Sequence, residues 1–118
     1  MKQRARPLSP VQEKAAREEV DRLRKMGVVR DTTSPWSSPI VLAKKADGTW
    51  RFCVDYRRLN ALTKKDSYPL PNIQDTLNRL RGAKFFSMLD FSSGYWRIPS
   101  NETSCEKTAF SLPWGGLL

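Results

Sequence analysis

Apolar side chains recur at Val11, Ala15, Ala16, Val20, Leu23 and Met26 with charged residues between them, the period of one helix face. Ser9 precedes this run, Pro10 opens its first turn and Gln12 stands three residues after Ser9, which is the pattern of a capping box. Gly27 supplies a stop. The pattern predicts an amphipathic helix from Pro10 to about Met26, with Glu18, Glu19, Arg22 and Arg24 on a solvated face. TTSPWSSP, at 32–39, carries two prolines and reads as an extended loop anchored by Trp36. IVLAKK and TWRFCVDY follow as strand-like runs joined by Ala46-Asp47-Gly48, a strong hairpin signal. Alternation puts Trp50, Phe52 and Val54 on one face of the second strand and Arg51, Cys53 and Asp55 on the other. The first face is expected to pack and the second to remain available to a ligand.

Residues 57–71 read as a polar connection ending in two prolines. Ile73, Leu77 and Leu80 then fall at i, i+4 and i+7 before Gly82, which predicts a second helix. Phe85 to Leu89 reads as a strand buried on both faces that ends on Asp90. Arg97-Ile98 and Lys107–Phe110 are expected to be short strands around the polar turn SNETSCE, and PWGGLL shows no amphipathic closure. No internal repeat or composition break marks a second domain. The expected class is α+β.

At 118 residues the chain is one small domain or a piece of a larger one. A hydrophobic fraction of 39% argues against disorder. The longest apolar run, Ile40 to Ala43, is too short to span a bilayer, and the basic start MKQRARPLSP lacks the apolar core of a signal peptide. These features lead to the expectation of an intracellular protein without a membrane partner. A net charge of +9 favours a polyanionic partner. The absence of histidine removes imidazole acid–base chemistry, and the distant Cys53 and Cys105 argue against a zinc site or a disulfide framework.

Any chemistry therefore rests on carboxylates, hydroxyls and basic side chains. Lys44, Lys45 and Arg51 flank the expected hairpin turn, with Arg57, Arg58, Lys64 and Lys65 soon after. Such an arm can close over a triphosphate, lysine as a point charge and arginine as a fork. The same lysines also suit an edge hairpin protected from aggregation. Asp90, at the end of an apolar run, is costly unless it is solvated or bound to a cation, for which magnesium is the natural choice. It also suits a simple N-cap of a following turn. Ser92-Ser93-Gly94 permits backbone amides to approach phosphate oxygens, and Tyr95 places a ring five residues beyond the acid.

Taken together, SPWSSPIVLAKKADGTWRFCVDYRRLNALTKKDSYPLP, FFSMLDFSSGYWRIP and EKTAF closely resemble the reverse transcriptase of gypsy-type long-terminal-repeat retrotransposons, from about Leu8 to Phe110. The resemblance implies an incomplete right-hand polymerase: one reverse transcriptase domain over 1–118, with an N-terminal helix and fingers hairpin in 1–65, the start of the palm in 66–97, and a truncated return toward the fingers in 98–118. It implies that Asp90 is the first catalytic, metal-binding aspartate, joined on the same metal by the backbone carbonyl of Phe91. It assigns Lys45, Arg51, Ser93, Gly94 and Tyr95 to the incoming nucleotide, Tyr95 as steric gate, and Cys53 and Asp55 to the template side. Two magnesium ions, or manganese, a template-primer of RNA or DNA, deoxynucleoside triphosphates and the rest of a Pol polyprotein are the implied cofactors and partners. The implied setting is a cytoplasmic particle or the nucleus.

The chain also departs from the family pattern. No Asp-Asp pair occurs in it, Arg97 stands where the pattern has glutamine, and the match weakens after Phe110. The expectation is an N-terminal polymerase fragment that is inactive alone. The alternatives are a non-catalytic basic nucleic-acid-binding remnant and a non-functional truncated retroelement product.

Overall fold

Helix α1 runs over Pro10–Lys25, and both halves of its capping box form: Ser9 Oγ accepts from the Gln12 amide at 3.4 Å, and Gln12 Oε1 accepts from the Ser9 amide at 3.0 Å. Gly27 follows in the left-handed region at φ 70°, where a Cβ is disfavoured. Ala16, Val20 and Leu23 are buried, whereas Val11 and Met26, at the two ends of the apolar stripe, are exposed. The computed structural model describes residues 1–91 and 94–118 of the chain.

Strands β1, Ser38–Lys44, and β2, Trp50–Val54, form the antiparallel hairpin, with Ile40 opposite Val54 and Lys44 opposite Trp50. A third short strand, β3 at Phe110–Ser111, joins the other edge of β1 in parallel, so the sheet order is β2-β1-β3. Ile40 and Leu42 of β1 meet Ala16 and Val20 of α1 together with Phe110, Leu112 and Leu118, and Trp50, Phe52 and Val54 pack around that cluster. Phe52 stands edge-on to Phe110 at 5.8 Å between ring centroids. The class is α+β, as expected.

Three expectations are corrected here. The polar connection contains a helix, α2 at Arg57–Leu62. The polar turn is partly helical: α5 at Glu102–Cys105 is capped by Asn101, whose side chain accepts from the Thr103 amide, and a 3₁₀ turn at Glu106–Thr108 leads into β3. The chain end does close. Gly115 and Gly116 turn at φ 98° and 101°, Leu118 exchanges both backbone hydrogen bonds with Phe110, and its side chain is buried. No helical or strand period announces such a turn, because two glycines carry it.

Residues 1–63 with 99–118 form one compact unit and residues 64–98 a second. In the second, α3 spans Ile73–Arg79 with Asn72 as N-cap, and α4 spans Gly94–Arg97. Arg97 is thus helical and Ile98 lies outside any strand. The run Phe85 to Leu89 is not a buried strand either: Met88 and Leu89 are each 95% exposed. Apolar content alone does not make a strand, since its backbone groups need neighbours to bond.

Replacing Ile40 or Leu23 with alanine is expected to cost about 2–5 kcal/mol of stability, the range for emptying a packed site. Leu89→Ala is expected to stay within about 0.5 kcal/mol, because its side chain leaves water little on folding. Urea unfolding followed by tryptophan fluorescence measures both, and equal costs at the two sites would contradict the burial.

Candidate functional site

The hairpin carries basic side chains on a bonded backbone. Its turn is a three-residue loop: the Gly48 amide bonds the Lys45 carbonyl at 3.0 Å and the Lys45 amide bonds that of Thr49 at 2.8 Å. Gly48 sits at φ 83°, in the left-handed region. Asp47 Oδ1 accepts from both the backbone amide and the hydroxyl of Thr49, at 2.9 and 2.6 Å. Those bonds hold the Asp47 carboxyl below the ordinary carboxylate range. Asp47 is therefore a turn residue. Lys44 and Lys45 stand exposed at the end of β1 and the start of the loop.

Across the ladder, Ala43 pairs with Arg51 and Val41 with Cys53, so these four side chains share the face opposite the packed one. Ala43 and Arg51 are exposed; Val41 and Cys53 are half-buried. The result is an open face of small and apolar groups with one guanidinium, bordered by Lys45 at the loop.

Asp55, just past β2, is not an open carboxylate. Its side chain is only 8% exposed and is held by two guanidinium groups. Arg57 Nε donates to Oδ1 at 2.8 Å and Arg57 Nη2 to Oδ2 at 2.7 Å, while Arg6 Nη2 donates to Oδ2 at 2.6 Å. The Arg57 side chain, with its own backbone amide and the charges of Arg57 and Arg6, holds the Asp55 carboxyl far below its ordinary value, outweighing desolvation. Next door, the Tyr56 hydroxyl donates to the Thr108 carbonyl at 2.7 Å, and burial pushes its pKa up to about 12. Sequence spacing offers a hint for Arg57, two residues from Asp55, but none for Arg6.

The second group of site residues belongs to the unit of residues 64–98. Asp90 is exposed and forms no ion pair among the described residues, and Phe91 and Tyr95 are 83% and 97% exposed. Gly94 opens α4, and a Cβ built there would lie 3.3 Å from that of Phe91, so glycine permits this close approach. Ser93 falls outside the described residues. Among the described residues no three acidic or thiol side chains converge as a metal centre requires. With Asp90 as the one candidate carboxylate, the described residues do not by themselves fit a two-metal site.

The family described as reverse transcriptase (RNA-dependent DNA polymerase) matches residues 43–117. The Pol polyprotein of transposon 297 from Drosophila melanogaster is 35% identical over 114 residues, which cover 92% of this chain and 11% of that protein. The crystal structure of a prototype foamy virus protease-reverse transcriptase mutant superposes with a TM-score of 0.82 at 26% identity, over 98% of this chain and 16% of the other. A foamy viral protease-reverse transcriptase in complex with double-stranded DNA gives a TM-score of 0.75 at 26% identity, over 98% of this chain and 20% of that one. The chain thus spans about one ninth of the first of these relatives. No helix among the described residues is long and apolar enough to cross a membrane.

The Asp55 cluster yields a prediction with a defined sign. Its carboxyl titrates lower in the folded than in the unfolded chain, so its contribution is present above the unfolded value, about 3.9, and fades as pH falls toward the folded one. Asp55→Asn should therefore destabilise the chain at pH 7, with the gap to wild type narrowing below about pH 4. Urea midpoints for both proteins across that range test it, and a gap that stays constant to pH 2 or below would contradict the clamp.

Proposed function

The chain belongs to the reverse transcriptase (RNA-dependent DNA polymerase) family, and from that premise we propose that it is the fingers and first palm portion of a template-directed DNA polymerase, binding template-primer and nucleotide without turning over by itself. The carrying observation is the hairpin, whose bonded loop fixes Lys45 beside an open face that bears Arg51, in a chain of net charge +9. A rigid arm with both kinds of basic side chain suits a triphosphate and a phosphate backbone. The foamy viral relative bound to double-stranded DNA supports the nucleic-acid side of this reading.

In the proposal, Lys45 and Arg51 meet the phosphates of a deoxynucleoside triphosphate in the complete polymerase and those of a nucleic-acid strand when this chain stands alone, and the Ser93 and Gly94 amides meet the triphosphate. Tyr95 gates against a ribose 2′-hydroxyl, and Cys53 lies toward the template. Asp90, with the Phe91 carbonyl, is one ligand for divalent metal, magnesium or manganese, in an enzyme that supplies further carboxylates. Metal bound there would stabilise the charge of phosphoryl transfer. The remainder of a Pol polyprotein is the proposed partner for that chemistry, in a cytoplasmic particle or the nucleus. A single carboxylate supports binding far better than turnover, which favours the reading of this chain on its own as a nucleic-acid-binding module.

Fluorescence anisotropy with a labelled template-primer tests the reading. Contact with about four phosphates predicts a loss of roughly two orders of magnitude in affinity between 50 and 200 mM salt. Lys45→Ala or Arg51→Ala should weaken binding and lower the salt slope by about 1. A flat salt response, or variants that bind as the wild type does, would reject the interface. In a longer polymerase containing these residues, Asp90→Asn should abolish metal-dependent extension while template binding persists; substantial residual extension would remove Asp90 from the metal.

A further inference from the structure

The segment before α1 is built into the hairpin unit. The Gln3 amide bonds the Ser37 carbonyl at 3.0 Å and the Ser37 amide bonds the Met1 carbonyl at 2.9 Å, so Lys2 pairs in parallel with Ser37, the residue that leads into β1. Three residues beyond Gln3, Arg6 reaches Asp55 just past the end of β2. The strap therefore touches the hairpin at the open end of its ladder, opposite the loop, at the entry to β1 and at the exit of β2. Asp55 is also fixed through its backbone, its amide bonding the Pro39 carbonyl at 2.9 Å.

We infer that Arg6 is a positioning residue for the polynucleotide-binding face: it tethers the N-terminal strap to Asp55 and so sets the exit of β2, which orients Arg51 and Cys53. Asp55, saturated by Arg6 and Arg57, then serves as an internal anchor and does not contact a template. The inference deepens the proposed function and rests on it only for the identity of the ligand. Its physical basis is that a nearly buried carboxylate with two guanidinium partners holds its place, while losing one partner leaves a buried charge undercompensated.

Arg4 provides an internal control, because it carries the same charge on the same strap, is exposed, and has no hydrogen-bond or ion-pair partner among the described residues. Amide hydrogen exchange is measured on the 118-residue chain for wild type, Arg6→Gln, Arg4→Gln and Arg6→Lys. Arg6→Gln is expected to speed exchange of the Asp55 amide roughly fivefold while Val20 and Leu23 in α1 stay unchanged. Arg4→Gln should change none of them. Arg6→Lys, which retains one cationic donor, should return Asp55 to within about twofold of wild type. It carries the test if the glutamine variant does not fold. Equal acceleration across α1 and Asp55, no acceleration at all, or no rescue by lysine would overturn the tether.

Binding of the labelled template-primer at about 100 mM salt reads the functional half. Arg6→Gln should bind more weakly than Arg4→Gln by roughly threefold or more, since both lose one charge and only one loses the anchor. Equal weakening would overturn the positioning role. Failure of the wild type to bind would reject the proposed function while the exchange result still decides the tether.

Discussion

Burial of the inner face of β1 is the constraint on which the rest of the hairpin unit depends. Ile40 is fully buried and Leu42 nearly so, in a strand bonded on both edges. One edge is met by β2 through a short loop, but the other is met by β3, which arrives from residue 110. The covering layer is α1, whose Ala16 and Val20 present small and branched surfaces to Ile40 and Leu42. A strand so placed is paired with β2 along one edge and with β3 at Ser38 and Pro39 on the other, and its inward side chains are removed from water by two distant parts of the sequence.

Polar tethers then fix the geometry that hydrophobic burial leaves loose. Ser34 Oγ donates to the Glu106 carbonyl at 2.5 Å, the Tyr56 hydroxyl to that of Thr108, and the Ser38 amide to that of Ala109. Each ties the returning segment to the hairpin, and each satisfies a group that would otherwise be costly in a dry setting. Arg17 lies over the Trp114 ring with its guanidinium carbon 4.4 Å from the centroid, which links the terminal turn to α1. With these ties and the Asp55 cluster at its base, the hairpin offers basic side chains on a backbone with little freedom. That is what binding a phosphate-bearing ligand with useful affinity requires.

Elements with local causes were the legible ones. Ser9, Pro10 and Gln12 predict the start of α1 because capping is satisfied within one turn. Asp47-Gly48 predicts the hairpin because the loop needs one left-handed residue. Trp50, Phe52 and Val54 predict the packed face because the pleat alternates. Phe85, Met88 and Leu89 misled for the opposite reason: burial is a property of neighbours, and composition alone does not supply them. Leu118 was missed because its closure comes from a turn of two glycines and a distant pair with Phe110.

The amino-acid sequence by itself determined the helix α1, the hairpin and its two faces, the α+β class and the family, since each rests on local periodicity or on an ordered run of motifs. The tertiary structure alone decided that β3 pairs in parallel with the start of β1 and that Arg6 joins Arg57 on Asp55. Hydrogen bonding across a sheet and ion pairing across 49 positions carry no local period. They are fixed only when the burial of Ile40 and its neighbours brings those segments together.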